Sequence, residues 1–330
     1  MTDIRHGDVL VEVQELAKSY PVLKGFLRPK KVGDIRAVDH VSFSIRAGET
    51  LGIVGESGSG KTTLGKLILG LLSPTSGKVL FQGRNIFELG PESLRQLRRQ
   101  MQVIYQDPFS SLNPRMTIGN AIAYPMKMFN LSTKRERMAR VIELLGRVGL
   151  NPDHANRFPH EFSGGQRQRI GIARALALKP TFIILDEPVS ALDVSIQAQI
   201  LNLLKDLQEE FHLTYLFIAN NLNVVQYLSD RVGVMYQGRL VELASSARLY
   251  GAPQHPLTQN LLSSILEVEA NSRDSSADIE SQDMSAMQLP SGCRYRLRCY
   301  QARELCAEVD PVLAEVEEEH WAACHFPGMK

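Results

Sequence analysis

Gly55-Glu56-Ser57-Gly58-Ser59-Gly60-Lys61-Thr62-Thr63 is the stretch that decides the fold. Gly55 to Thr62 fit G-x-x-x-x-G-K-[ST], in which glycines let successive backbone N–H groups turn inward around the β- and γ-phosphates of a nucleotide. The following helix offers its positive N-terminus to the same phosphates. Lys61 is placed to reach the β/γ oxygens and Thr62 to hold Mg²⁺. Just before the loop, Thr50-Leu51-Gly52-Ile53-Val54 reads as a short buried strand; just after it, Leu64 to Leu72 reads as a helix. A strand, a phosphate loop and a helix in that order predict an α/β fold that binds ATP.

The surrounding composition fits this. At 330 residues the chain is long enough for a unit of about 200 to 250 residues plus a smaller appendage. No apolar run approaches the roughly 18 residues of a membrane span, and Met1-Thr2-Asp3-Ile4-Arg5-His6 lacks an apolar signal core, so a cytosolic protein is expected. The formal charge of +1, from 37 basic and 36 acidic residues, gives no footprint for a nucleic-acid partner.

A second apolar run, Thr181-Phe182-Ile183-Ile184-Leu185, ends in Asp186-Glu187. Asp186 at the strand tip is placed to hold Mg²⁺ through water, and Glu187 to polarise the water that attacks the γ-phosphate. Between the two strands, Ser163-Gly164-Gly165-Gln166 opens an apolar helix through Ile170, Ile172, Ala173 and Leu176. Its N-terminal N–H groups call for an anion from elsewhere, since the chain's own phosphate loop lies about a hundred residues away.

From about residue 10 to 245 the sequence resembles the ATP-binding cassette family. Phe162 to Arg169 is similar to the family signature, with Phe at its first position; Tyr20 resembles the aromatic that stacks on adenine, and Gln106 the glutamine that senses Mg²⁺ and the membrane partner. Ser190-Ala191-Leu192-Asp193 resembles the loop that communicates across the dimer. The resemblance implies a P-loop ATPase with a mixed-sheet core, a helical lobe over about 107–178 and an antiparallel β lobe, filling residues 1–250. It also implies two cassettes that sandwich two nucleotides head to tail. The anion for Ser163 to Gln166 is then the γ-phosphate on the other cassette.

One position departs from the family. After the strand Leu213 to Ile218 the family places a γ-phosphate-contacting histidine followed by aspartate, whereas this chain reads Ala219-Asn220-Asn221-Leu222. Asparagine donates a hydrogen bond but carries no charge near neutral pH. Losing one oriented contact of this kind costs about 10²- to 10³-fold in rate. Two expectations follow: a slow composite site on this chain's Lys61 and Glu187 with a competent site on a different partner, or a tolerated variant with Glu187 sufficient. His212 precedes the strand and does not replace the missing group.

Asp107 to Met116 and Gln254 to Leu262 look like the oligopeptide and dipeptide importer subfamily, the first segment like the second of its two ATPases. The resemblance implies a non-identical second ATPase, two transmembrane permease subunits gripped through helices of residues 115–160, an extracytoplasmic binding protein, and a place on the cytoplasmic face of the inner membrane. The substrate stays open among dipeptides, longer peptides, glutathione-like peptides and nickel chelates. A DNA-repair cassette would need a long coiled-coil insertion and a translation factor a second cassette; neither is present. An ATP-binding scaffold that does not hydrolyse is the remaining rival.

Residues 251–330 read as a C-terminal extension, with a polar linker over 271–288 and four cysteines, Cys293, Cys299, Cys306 and Cys324. Their intervals, C-x5-C-x6-C-x17-C, exclude C-x2-C zinc knuckles and ferredoxin runs, and a reducing cytosol disfavours disulfides. The subfamily carries a similar tail holding a [4Fe–4S] cluster, whose negative charge Arg294, Arg296 and Arg298 would offset. Zinc, with His325 as a substitute ligand, and unmetallated thiols are the alternatives.

Overall fold

The computed structural model describes residues 6–25, 30–107, 112–270 and 291–329. Two long strands, β1 (Val9–Lys24) and β2 (Lys30–Arg46), precede β3 (Thr50–Val54), which feeds α1 (Lys61–Ile68). Then come β4 (Ser76–Phe81), β5 (Arg84–Asn85), α2 (Pro91–Leu97) and β6 (Met101–Ile104). Three helices follow: α3 (Ile118–Met128), α4 (Lys134–Arg147) and α5 (Gly164–Leu176). Strands and helices then alternate as β7 (Phe182–Asp186), α6 (Val194–Phe211), β8 (Thr214–Ala219), α7 (Leu222–Leu228), β9 (Arg231–Tyr236) and β10 (Arg239–Ser245). The last elements are α8 (Ser246–Gly251), α9 (Pro256–Ala270), α10 (Glu304–Glu308), β11 (Ala314–Glu317) and β12 (His320–Ala322).

The chain divides into two compact units. One, the signature unit, takes residues Met1–Val11, Ser44–Thr50 and Phe81–Ala219; the other, the phosphate-loop unit, takes Glu12–Phe43, Leu51–Leu80 and Asn220–Lys330.

In the signature unit β6, β7 and β8 run parallel, with Ile104 opposite Leu185 and Asp186 opposite Ile218. Buried on both faces, these strands read as continuous apolar runs, as parallel strands do. Phe182 to Leu185 and Tyr215 to Ile218 are all excluded from solvent. Tyr215 keeps its hydroxyl satisfied by donating to the Leu204 carbonyl at 3.0 Å. The helices α3, α4 and α5 occupy the stretch expected to be a helical lobe, and α4 starts on a capping box between Thr133 and Glu136.

In the phosphate-loop unit, β3 pairs in parallel with β9, β9 antiparallel with β10, and β10 antiparallel with β12, which closes a hairpin with β11. A second sheet has the order β2, β1, β4. The terminal hairpin is an unexpected element: residues read as part of a cysteine-bearing extension add two strands beside β10. Glu242 explains part of the docking. Fully buried, it accepts from the backbone N–H groups of Gln254 (2.7 Å) and His255 (2.9 Å), and its Oε1 lies 2.7 Å from His320 Nε2 on β12.

Three boundaries differ from the sequence reading. The helix expected to run to Leu72 stops at Ile68, because Gly70 adopts φ 64° and the N–H groups of Gly70 and Leu71 turn back to the carbonyls of Leu67 and Lys66. The strands expected over 181–185 and 213–218 each begin and end one residue later. Residues 108–111 of the subfamily-like segment and all of the polar stretch 271–288 lie outside the described residues.

Candidate nucleotide-binding site

β3 is wholly buried and delivers the chain into the phosphate loop. Gly60 sits at φ 105°, and a Cβ there would lie 2.0 Å from the Ala37 carbonyl oxygen, so the turn into α1 admits only glycine. Lys61 is buried. Its ammonium donates to the carbonyls of Gly55 and Glu56, both at 2.8 Å, and to Ser59 Oγ at 3.3 Å. The cation is thus held by the loop's own backbone and the Ser59 hydroxyl. Ser57 and Gly58 are exposed at the crest, Ser59 is buried, Thr62 is exposed and Thr63 half-buried. Tyr20 on β1 is 38% exposed, with Lys18 Nζ 5.2 Å from its ring centroid, within cation–π range.

The signature unit holds the other expected residues. Parallel β6, β7 and β8 end at one edge, so Gln106, two residues beyond β6, and Asp186-Glu187, at the tip of β7, emerge side by side. Asp186 is half-buried and Gln106 exposed. Glu187 has φ 51°, a left-handed backbone rare for a non-glycine residue and costing about 1 kcal/mol or more. It is pinned there by its N–H, donated to Ile218 O at 2.8 Å, while Ser190 returns its N–H (3.3 Å) and hydroxyl (3.1 Å) to the Glu187 carbonyl. Strain of this kind collects where a side chain must be aimed.

Ser163 caps α5 through a capping box: its Oγ accepts from the Gln166 N–H at 3.4 Å and its own N–H donates to Gln166 Oε1 at 3.1 Å. Gly165 has no room for a side chain, since a Cβ would meet Ile196 Cγ2 of α6 at 2.5 Å. Arg167 is buried, with Nε donating to the Pro159 carbonyl at 2.8 Å. Asp193 precedes α6 as its N-cap residue. β8 ends at Ala219; Asn220, the next residue, is exposed, and Asn221 caps α7 by accepting the Asn223 N–H at 2.8 Å. His212 terminates α6 in a left-handed turn, away from the strand end, as its sequence position suggested.

The four cysteines line one small cavity together with His255, Tyr295 and Phe326. Burial pushes the Cys324 thiol up to about 11, lifts Cys293 and Cys299 as well, and each of the three feels the charge of neighbouring cysteines. Among the described residues no group of three or more His, Cys, Asp or Glu could hold a metal ion. Neither zinc nor a [4Fe–4S] cluster has a closed set of ligands among these residues. His325 Nε2 is engaged with the Val309 carbonyl at 2.9 Å. The thiols are gathered without being closed on a centre.

The arginines also depart from expectation. Arg294, read as a counter-charge for the cysteines, is buried against Asp39 and the Gln237 carbonyl. Arg239 completes the network, with Nε 3.1 Å from Asp39 and NH1 2.5 Å from Asp310. Burial alone would raise the Asp39 carboxyl, but Arg294 and Arg239 outweigh it and hold the group below its ordinary range. Arg298 is paired with Glu56, and Arg296 reaches Ser291 Oγ at 3.3 Å. Pairs separated by some 200 residues leave no local pattern, and the sequence reading missed them.

A phosphate loop between strand and helix, an acidic strand end and a serine-capped glycine helix define a P-loop ATPase. Residues 38–190 match the ABC transporter family, and residues 241–306 match the family of the oligopeptide/dipeptide transporter C-terminal region. The chain is 50% identical over 322 residues to the oligopeptide transport ATP-binding protein AppF of Bacillus subtilis, covering 97% of this chain and 98% of that protein. It is 49% identical over 315 residues to a putative peptide import ATP-binding protein of Brucella ovis, covering 96% and 97%. Among solved structures, the dimeric ATP-binding cassette MJ0796 bound to ADP and Pi aligns with TM-score 0.62 and 31% identity, over 72% of this chain and 98% of that one. CbiO1 from Clostridium perfringens aligns with TM-score 0.64 and 25% identity, over 80% and 96%. The chain therefore belongs to the ABC transporter ATPase family, in its oligopeptide/dipeptide branch.

Proposed function

We propose that this chain is an ATP-hydrolysing motor subunit of a peptide importer, paired with a non-identical second cassette on the cytoplasmic face of a membrane. The observation that carries the reading is the near full-length 50% identity to a protein named for oligopeptide transport, C-terminal region included. A peptide importer ATPase works with separate permease subunits and an extracytoplasmic binding protein that delivers the solute; among the described residues no helix is long and apolar enough to cross a membrane. In this reading residues 1–250 form the cassette, which contains the 38–190 match, and 251–330 the extension, into which the 241–306 match runs.

Lys61 exchanges its loop carbonyls for β- and γ-phosphate oxygens, and Gly58 to Thr63 contribute inward N–H groups. Tyr20 stacks on the adenine. Thr62, Gln106 and Asp186 would each offer an oxygen of the kind that suits Mg²⁺, an ion that would offset phosphate charge. Glu187, aimed by its left-handed backbone, takes the proton of the attacking water. The N-terminus of α5, from Ser163 to Gln166, receives the γ-phosphate carried by the partner cassette, with Asp193 at the dimer contact. A [4Fe–4S] cluster in the four-cysteine cavity belongs to the same reading, supported by the gathering of those thiols and tested by iron and sulfide content after anaerobic purification.

Asn220 favours a second reading, in which this chain binds ATP as a scaffold and lends its signature to a competent site on the partner. ATP turnover by the whole complex, wild type against Glu187→Gln in this chain alone, separates the two. A fall of about tenfold or more, the scale of losing a catalytic base, makes this chain hydrolytic; an unchanged rate makes it the scaffold. Stimulation by the binding protein loaded with defined peptides, and its absence with a nickel chelate, tests the solute class.

A further inference from the structure

We propose that Arg298 is a positioning residue of the phosphate loop, placed to neutralise the Glu56 carboxylate beside the phosphate-binding amides. The inference rests on the nucleotide-binding reading and is independent of the transported solute.

Glu56 is the second residue of the loop. Its backbone carbonyl already accepts from Lys61 Nζ at 2.8 Å and from the Ser59 N–H at 3.1 Å, so its side chain rides on the turn that must wrap a polyanion. An uncompensated carboxylate there sets a like charge beside incoming phosphates and opposes their binding. Arg298, 242 residues further along the chain, meets Glu56 with both prongs: NH1 lies 2.8 Å from Oε2 and NH2 2.8 Å from Oε1. This parallel geometry is available to a guanidinium and not to an ammonium.

The guanidinium is set in place from behind. It lies 5.8 Å from the ring centroid of Tyr295 and hydrogen-bonds Tyr236, and those two rings meet edge to face at 5.3 Å. Tyr295 is itself buried and receives Asn260 Nδ2 on its hydroxyl at 2.7 Å. Part-exposed ion pairs add little to stability. The work of this one is therefore local charge: it turns an acidic loop position into a neutral pair.

A simple tether between the loop and residues 291–329 would make the opposite forecast, since breaking the pair from either side would release it equally. The test uses the full-length chain in its complex and measures Mg-ATP affinity together with KM and kcat. Arg298→Gln is expected to weaken Mg-ATP binding and raise KM about three- to fivefold with kcat retained, an effect that shrinks at high salt. Glu56→Gln alone is expected to bind at least as tightly as wild type, and Glu56→Gln with Arg298→Gln to return to the wild-type value. Arg298→Lys, which keeps the charge and loses the fork, should recover part of the affinity. Unchanged affinity in Arg298→Gln overturns the inference, and so does Glu56→Gln weakening binding as much as Arg298→Gln without restoration in the pair. A wild-type complex that did not bind Mg-ATP would overturn the nucleotide reading and this inference together.

Discussion

The phosphate loop and the cysteine-bearing segment 291–329 belong to one unit, yet they are fixed by opposite means. The loop is held by contacts between residues a few positions apart: Lys61 onto Gly55, Glu56 and Ser59, and Gly60 in a turn that only glycine enters. The tail is held by buried partners some 80 to 250 residues away: Arg294 on Asp39 and His320 on Glu242. Local constraint writes itself into a motif; distant pairing does not.

Breaking the distant pairing should have the largest effect. Arg294→Leu strands the buried Asp39 carboxylate with less compensation, and thermal or urea denaturation should show a loss of about 3–5 kcal/mol. The corresponding break in the loop is Gly60→Ala, whose Cβ meets a backbone oxygen. A strain of about 1–3 kcal/mol should appear chiefly as lost Mg-ATP binding, read by calorimetry.

Acid should sharpen the comparison, because it strikes the tail's anchor. Burial drives His255 down to about 4 against opposition from Glu242, and its neutral Nδ1 accepts the Leu257 N–H at 3.0 Å. The unfolded histidine titrates at about 6.5, so this group's stabilisation is complete above that pH and is lost as pH falls toward 4. Between pH 7 and 5 its share is about 2 kcal/mol, and His255→Gln should flatten the melting-temperature slope in that window. The smallest effect belongs to the helix cap: Ser163→Ala should cost about 1 kcal/mol of stability, with a larger deficit in turnover once the cassettes must pair.

What was legible in the sequence follows the same division. The strand Thr50–Val54 was read to the residue, and the strand ending in Asp186 to within one, because buried parallel strands leave unbroken apolar runs. The stop of α1 before Gly70 was missed, although a glycine at the end of an apolar helix is a readable signal. The β11–β12 hairpin was missed for a different reason. Ala314-Glu315-Val316-Glu317 does alternate apolar with polar, but over only four residues with two acids, and it is β10 that gives β12 a partner. Arg294 and Arg298 looked like a basic cluster serving the cysteines; only the fold shows each matched to its own carboxylate.

The threading of the phosphate-loop unit also has a consequence for synthesis. Its strands come from residues 12–43, 51–80 and 220 onward, while the signature unit is complete once residue 219 has emerged. At about 5 to 20 residues per second, the hundred or so residues from there to β12 take a further 5 to 20 seconds or so on the ribosome. Within that interval Asp39 waits for Arg294, Glu56 for Arg298, and β10, once made, for β12. The nucleotide loop, made 242 residues before Arg298, is thus among the last parts of the nascent chain to acquire its full set of neighbours.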